Sequence, residues 1–422
     1  MLAEIIAIGS EMLTPHRQDT NSLYLTAGLN ALGVSVAFKT IVGDNRQHLT
    51  SAIGIALSRA DIVVLSGGLG PTEDDLTREC VAEALGLGLH RDADVMHALQ
   101  QRFAARRMAM PPNNIRQTEV LDGAIVLQNR NGSAPGQWLD TVYGGPSGKV
   151  HRKLVILLPG PPKELKPLFD EEAAPRLRQV LPAYFMASRM LRMALIPESQ
   201  VDARCAPIYQ PYTDVETTIL AGSGEIQLHF RCTRPTQEEA EQRVDELAEL
   251  IEREMGDDIF SSHGESLEEI VLLMLGMRGM KLSVAESCTG GLLASRLTAI
   301  PNASRVFDGG VVPYANDQKV MLCHVPEDLL EEHGAVSAPV ARAMAEGIRA
   351  ISGSSIGVSI TGLAGPAGGE GPDADKPIGL VFIGLSDGED TQVKQVQIPG
   401  DRDRVRLWAT QHALELLRRT LE

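Results

Sequence analysis

The sequence predicts an α/β protein: two separate α/β domains with mainly parallel sheets, joined by a small α+β module. Three observations carry that prediction. From residue 4 onward, short β-like apolar runs alternate with amphipathic helical ones, the order that builds a parallel sheet covered by helices. The alternation changes texture after about residue 175 and resumes from about residue 262. A length of 422 residues is also too great for one ordinary core, so the segments 1–175, 176–257 and 262–422 are expected as separate folding regions.

In the first segment EIIAIGS is a strand, followed by a helix from about Asp19 to Gly33 with Leu25, Leu29 and Leu32 on one face and Gly33 placed to end it. SVAFKTIVGD is the second strand, and Leu49, Ile53, Ala56 and Leu57 mark the next helix. DIVVLSGG is the third strand. Helices near 74–86 and 92–107 and the buried strand LVILLPGPP continue the order to about residue 170. The middle segment offers MLRMALI, the strand pair TTILAGSGEIQLHFRC and the charged helix EEAEQRVDELAELIEREMG. GDDIFSSHGES is the expected linker. It ends in a capping box, Ser266 with Glu269, ahead of the stripe Leu267, Ile270, Val271, Met274 and Leu275. In the last segment KLSVAES, VFDGGVVPYA, SIGVSIT, PIGLVFIGLS and TQVKQVQIPG are strands, with helices near 289–300, 338–351 and 402–421.

Composition narrows the function. With 55 acidic against 39 basic residues the formal charge is −16, and no basic stretch is interleaved with aromatics, which argues against direct nucleic-acid binding. MLAEIIAIGS has neither a basic start nor a long apolar core, and no run reaches membrane-spanning length, so a cytoplasmic protein without membrane contact is expected. The five cysteines are far apart, without a C-x-x-C pair, and are expected as reduced thiols. Without H-E-x-x-H or clustered histidines, any metal is expected on oxygen ligands.

Chemistry concentrates in two places. SGGLGPTEDDLT, residues 66–77, sets Gly67, Gly68, Gly70 and Thr72 in a turn between a buried strand and a helix, where exposed backbone N–H groups suit a phosphate. Asp74 and Asp75, with Asp44 at the end of the preceding strand, are candidate metal ligands beside it. Open parallel sheets bind ligands at the carboxyl ends of their strands, so Ser10, Glu11, Asp44, Gly67 to Asp75 and Gly160 to Pro162 are expected to converge.

The second place opens on LSVAESCTGGLLASRL, residues 282–297. Thr289, Gly290 and Gly291 are expected to hold a phosphate at a helix start. Tyr314 and Lys319 in VVPYANDQK, Thr361, Gly362 and Gly365 in ITGLAGP, and Arg402 in IPGDRDR lie at other strand ends. That set suits acyl chemistry: a serine hydroxyl needs a base, and a desolvated lysine of lowered pKa can be one. Backbone N–H groups or Arg402 would hold the oxyanion. Cys288 has no histidine within these loops and is assigned to packing, which leaves Ser287 as the nucleophile.

SGGLGPTEDDLT, together with IGSEML, DTN (Asp19 to Asn21) and LPGPP, resembles the amino-terminal domain of the CinA family, itself similar to the three-layer MoaB/MogA proteins. The resemblance implies a metal-dependent ADP-ribose pyrophosphatase, with Glu11, Asn21 and Gly160 among the binding residues and Asp44, Asp74 and Asp75 toward a divalent ion. AESCTGG, Y-x-N-x-x-K, TGLAGP and PGDR resemble the CinA carboxy-terminal domain, the PncC-type amidase that converts nicotinamide mononucleotide to nicotinate mononucleotide and ammonia. It implies Ser287 as nucleophile, Lys319 as base, Tyr314, Thr361 and Arg402 as orienting groups and Ser304 in support of the dyad, with no cofactor for the amidase. A homo-oligomer is expected. Two alternatives stand beside this: a molybdopterin-binding first domain, and a non-catalytic partner of competence or recombination proteins.

Overall fold

The computed structural model describes residues 1–144, 150–182, 184–222 and 224–422. Contacts divide the chain into two compact units, Met1–Met186 with Thr233–Ala240, and Ala187–Cys232 with Glu241–Glu422.

The strands of the first unit are β1 (Leu2–Ile8), β2 (Ser35–Val42), β3 (Ile62–Ser66), β4 (Leu89–Arg91), β5 (Glu119–Leu121), β6 (Ile125–Leu127), β7 (Gly136–Gly144) and β8 (Val150–Leu158). Six of them form a sheet in the order β2-β1-β3-β8-β7-β6. β2, β1, β3 and β8 run parallel. β7 and β6 extend that edge antiparallel. The helices are α1 (Thr20–Ala31), α2 (Arg46–Arg59), α3 (Thr77–Leu85), α4 (Ala93–Ala105), α5 (Pro162–Leu168) and α6 (Ala174–Val180). Successive strand side chains face opposite sides of a sheet, and β1 uses both. Ile5 packs with Leu25 and Leu29 of α1, while Ile6 packs with Leu49, Ile53 and Leu57 of α2. A three-layer sandwich follows. Asp19 caps α1 by accepting from Ser22 N at 2.9 Å. Gly33 ends the turn at φ +74°, where a Cβ would lie 2.4 Å from Tyr184 O.

The second unit holds two sheets. The smaller has β9 (Phe185–Ala194), β10 (Glu216–Gly222), β11 (Glu225–Arg234) and β12 (Ile259–Ser261) in the order β10-β11-β9-β12. Ser223, inside the expected strand pair, lies outside the described residues. Helices α7 (Glu198–Tyr209) and α8 (Gln237–Met255) belong to this module. Part of the expected boundary stretch GDDIFSSHGES is ordered as β12: Ile259 and Ser261 pair with the open edge of β9, and Phe260 between them is buried in the core of this unit. Then α9 (Leu267–Met277) begins on the expected capping box, Ser266 and Glu269 bonded reciprocally.

The larger sheet is β14-β13-β15-β16-β17, with β13 (Leu282–Glu286), β14 (Phe307–Val311), β15 (Ile356–Gly362), β16 (Leu380–Ser386) and β17 (Thr391–Gln397). β14, β13 and β15 are parallel, and β16 and β17 add an antiparallel hairpin. Around it lie α10 (Leu292–Thr298), α11 (Asn316–Cys323), α12 (Glu327–His333), α13 (Ala338–Ser352) and α14 (Arg402–Thr420). In both units the parallel strands, as expected, carry the site. Among the described residues no helix is long and apolar enough to cross a membrane.

Candidate functional site

In the first unit the carboxyl ends of β2, β1, β3 and β8 open into a cavity of about 590 Å³. Of the residues expected to converge, Glu11, Asn21, Asp44, Gly67, Gly68, Gly70, Thr72, Asp74, Asp75 and Gly160 line it, whereas Ser10, which bonds Asp44 from behind, and Glu73 do not. The glycine turn is fixed from behind. Gly67 and Gly68 have φ +109° and +66°, and a Cβ on Gly67 would lie 2.4 Å from Ile8 O. Thr77 Oγ1 donates to Gly67 O at 2.8 Å. Arg78, fully buried, donates to the carbonyls of Leu69 at 3.0 Å and Gly70 at 3.1 Å. Arg116 donates to Thr72 O at 2.7 Å and Asp75 O at 3.3 Å. With these carbonyls turned onto guanidinium groups, the amides of Gly68, Leu69 and Gly70 donate to nothing among the described residues. Three amides without partners on a glycine turn at the cavity wall make this a candidate anion cradle.

The carboxylates are less free than the sequence suggests. Asp44 accepts from Ser10 N at 2.7 Å, and Ser10 Oγ receives Asp44 N at 3.0 Å in return. Asp75 accepts from Thr72 N at 2.9 Å and Thr72 Oγ1 at 2.5 Å, so it braces the loop. Asp74 is exposed. Among the described residues no three acidic, histidine or cysteine groups close into a metal cluster. Asp44 and Asp74, both at the cavity, are the carboxylates that could hold an ion of the magnesium kind, which takes one or two carboxylates and completes its shell with substrate phosphates and water. Asn21 donates to Ser66 Oγ at 3.1 Å and Gly160 O at 2.7 Å, which ties α1 to two of the strand ends.

In the second unit the ends of β13, β14 and β15 and the start of α14 line a cavity of about 420 Å³. Ser287, Tyr314, Lys319, Thr361, Gly362, Gly365 and Arg402 meet there. Ser287 N donates to Ile360 O at 2.8 Å, which holds the turn against β15. Lys319 is 1% exposed, and its Nζ donates to Tyr314 O at 3.2 Å. Burial pulls its pKa below the ordinary lysine value, opposed by Cys288 and Asp373. Burial pushes the neighbouring Cys288 thiol up to about 12, so the sulfur stays protonated. Arg402 donates to Gly365 O at 2.7 Å and to Tyr314 Oη at 2.9 Å. Thr361 Oγ1 donates to Ala335 O at 2.7 Å.

Four expected residues lie elsewhere. Thr289, Gly290 and Gly291 do not line the cavity, and the phosphate expected at this helix start is displaced by the chain's own Glu286. That carboxylate, 1% exposed, accepts from Leu293 N at 2.9 Å and Ala294 N at 2.8 Å, the free amides of the first turn of α10. Ser304 is exposed in the short turn Ala303–Arg305 and is not part of the cavity lining. Two residues went unassigned in the sequence. Glu286 was legible as a carboxylate beside a helix start, whereas Asp373, buried in the loop after β15, had no signal.

The fold and the two clefts define a multidomain α/β protein with separate strand-end sites, one a glycine-loop anion cradle and the other a serine and lysine cleft. Residues 4–179 match the family model "Probable molybdopterin binding domain", 188–261 "Damage-inducible protein CinA KH domain" and 264–421 "CinA C-terminal domain". The CinA-like protein of Acidobacterium capsulatum is 56% identical over 421 residues, covering 100% of both chains. That of Koribacter versatilis is 53% identical over the same span, again with 100% of each covered. Among solved structures, a CinA superfamily protein from Klebsiella pneumoniae is 32% identical, covers 37% of this chain and 98% of its own, and has a TM-score of 0.36. A competence/damage inducible protein from Agrobacterium tumefaciens is 36% identical, covering 37% of this chain and 93% of its own at a TM-score of 0.35. The chain belongs to the CinA family.

Proposed function

We propose that this protein is a bifunctional hydrolase of pyridine-nucleotide recycling, acting in the cytoplasm as a homo-oligomer. Its second unit hydrolyses the carboxamide of nicotinamide mononucleotide, and its first unit cleaves ADP-ribose at the pyrophosphate. One observation carries the amidase reading: a buried lysine whose amine has a carbonyl as its hydrogen-bond acceptor shares a cavity with Ser287. Burial lowers the pKa of that amine, which favours the neutral form that can act as a base.

Ser287 Oγ attacks the carboxamide carbon as its proton passes to Lys319 Nζ. The tetrahedral oxyanion is held by N–H groups at the cavity wall. Arg402 has two of the guanidinium's five N–H groups engaged by Gly365 and Tyr314 and keeps the rest for this purpose. Collapse breaks the C–N bond, and Lys319 returns its proton to the departing nitrogen, which leaves as ammonia. Water then attacks the acyl-serine with Lys319 again as base, and the nicotinate product and free Ser287 result. Cys288, protonated at its raised pKa, has no part in these steps.

In the first unit the unpaired amides of Gly68, Leu69 and Gly70 support binding of a phosphate group. A divalent ion held by Asp44 and Asp74 with substrate oxygens would neutralise charge on the pyrophosphate. The match of residues 4–179 to a probable molybdopterin binding domain supports a second reading for this unit, a pterin or nucleotide binder without hydrolysis.

The test is ammonia release from nicotinamide mononucleotide by wild type, Ser287→Ala and Cys288→Ala. Ser287→Ala is expected to lose about 10³-fold or more in kcat, with Cys288→Ala within a few-fold of wild type. Loss in Cys288→Ala with retention in Ser287→Ala would refute the assignment. ADP-ribose incubated with magnesium or manganese, beside titration of a pterin, decides between the readings of the first unit.

A further inference from the structure

Asp373 lies in the long loop between β15 and β16 and belongs to none of the motifs that suggested the amidase. It is buried, and of the two carboxylates lining the cavity the other, Glu370, is exposed. Its Oδ2 accepts from Ala335 N at 2.9 Å and its Oδ1 from Val336 N at 3.2 Å. Lys376 Nζ donates to Oδ1 at 2.6 Å. Gly334 and Gly369 close around it, since a Cβ on either would come within 2.2 Å and 2.3 Å of Asp373 atoms. The segment it holds is the one whose Ala335 O receives the Thr361 hydroxyl.

We propose that Asp373 is a positioning residue of the amidase that fixes segment 334–336 against the cavity wall and, by its charge, sets the pH at which Lys319 becomes a base. The proposal rests on the amidase reading for its kinetic expression, and on the shared cavity for its physics. The groups about Lys319 are few. Its own helix brings Asp317 and Cys323, the turn after β13 brings Cys288, and the loop after β15 brings Glu370 and Asp373. Arg402, at the start of α14, is engaged by Gly365 and Tyr314. From α13, which packs on α11, Arg342 and Glu346 pair with each other at 3.8 Å and Arg349 donates to Ser355 O at 3.0 Å.

A negative charge beside a buried amine favours its protonated form, and a positive charge disfavours it. Asp373 thus opposes the burial that lowers the Lys319 pKa, and Lys376, bound to Asp373, moderates that opposition. Removing the two charges shifts Lys319 in opposite directions, an outcome that loosened packing alone does not produce.

The experiment compares wild type, Asp373→Asn and Lys376→Gln as full-length protein, with thermal melts to verify folding. Two readouts are followed against pH: kcat/KM for ammonia release from nicotinamide mononucleotide, and acetylation of Lys319 by a trace of acetic anhydride, quantified by mass spectrometry. In Asp373→Asn the acid limb and the labelling midpoint are expected to move down by about half a pH unit or more, and in Lys376→Gln upward. Rescue in Asp373→Glu of the wild-type midpoint would add support. Midpoints that stay in place, or move the same way in both variants, overturn the proposal. Should Asp373→Asn fail to fold, an upward shift in Lys376→Gln still supports it, and no shift or a downward one overturns it. If wild type releases no ammonia, the amidase reading fails, while the labelling midpoints still decide the role of Asp373.

Discussion

The two strand-end turns, 67–76 and 287–291, are built from the same backbone device and filled differently. Each follows a buried parallel strand, uses glycines at positive φ and leads into a helix. In the first, buried Arg78 and partly buried Arg116 draw the loop carbonyls backward and leave amides open. In the second, Glu286 occupies the amides of α10 from within the chain. A glycine turn before a helix therefore does not by itself define an anion site. What decides is whether the protein has already supplied the anion.

Mutations can break that contrast in graded steps. The largest effect is expected from Lys319→Met, which removes the proposed base from the filled turn's cavity and is expected to lower kcat by about 10²–10⁴-fold. On the proposed mechanism activity requires the neutral amine, so kcat/KM is expected to fall as pH drops through the Lys319 pKa. Because burial lowers that pKa, the acid limb is expected below the ordinary lysine value of 10.5, as a pH profile measures. Next is Glu286→Gln, which leaves a neutral amide at the helix start. Two charge-assisted hydrogen bonds are weakened, and kcat is expected to fall about 10–100-fold with KM little changed. A variant that melts earlier yet keeps kcat would reduce Glu286 to a stability role. The smallest effect belongs to the open turn. Arg116→Gln frees the carbonyls of Thr72 and Asp75 and is expected to weaken ADP-ribose binding about fivefold by calorimetry, with ammonia release untouched.

Much of this organisation was legible because it is periodic or local. Leu49, Ile53 and Leu57 marked α2, and Ser266 with Glu269 marked the start of α9. The strand-end rule brought Glu11, Asp44 and Gly160 to the glycine turn across more than 100 residues of sequence. Less legible was β7, GQWLDTVYG, an antiparallel extension with no clean alternation. Neither was β12, whose two apolar residues make sense only against the edge of β9. At the sites, residue types were readable and their partners were not. Asp75 looked like a ligand and braces Thr72, Thr289 looked like part of a cradle and lies outside the cavity, and Asp373 acts through a segment some 38 residues earlier in the chain. Such roles depend on long-range contacts, which spacing along the chain does not encode.

The filled turn has a thermodynamic consequence. A helix start whose anion is covalently part of the chain cannot be emptied by dilution, so the conformation of the Ser287 turn is independent of metabolite concentration. On the proposed reading the open turn at Gly68 to Gly70 takes its anion from solution, and by linkage a ligand bound there would add to the stability of its unit in proportion to the logarithm of its excess over Kd. One turn is thus preorganised by its own sequence, and the other is expected to report, in the melting temperature of its unit, how much of the proposed ligand surrounds it.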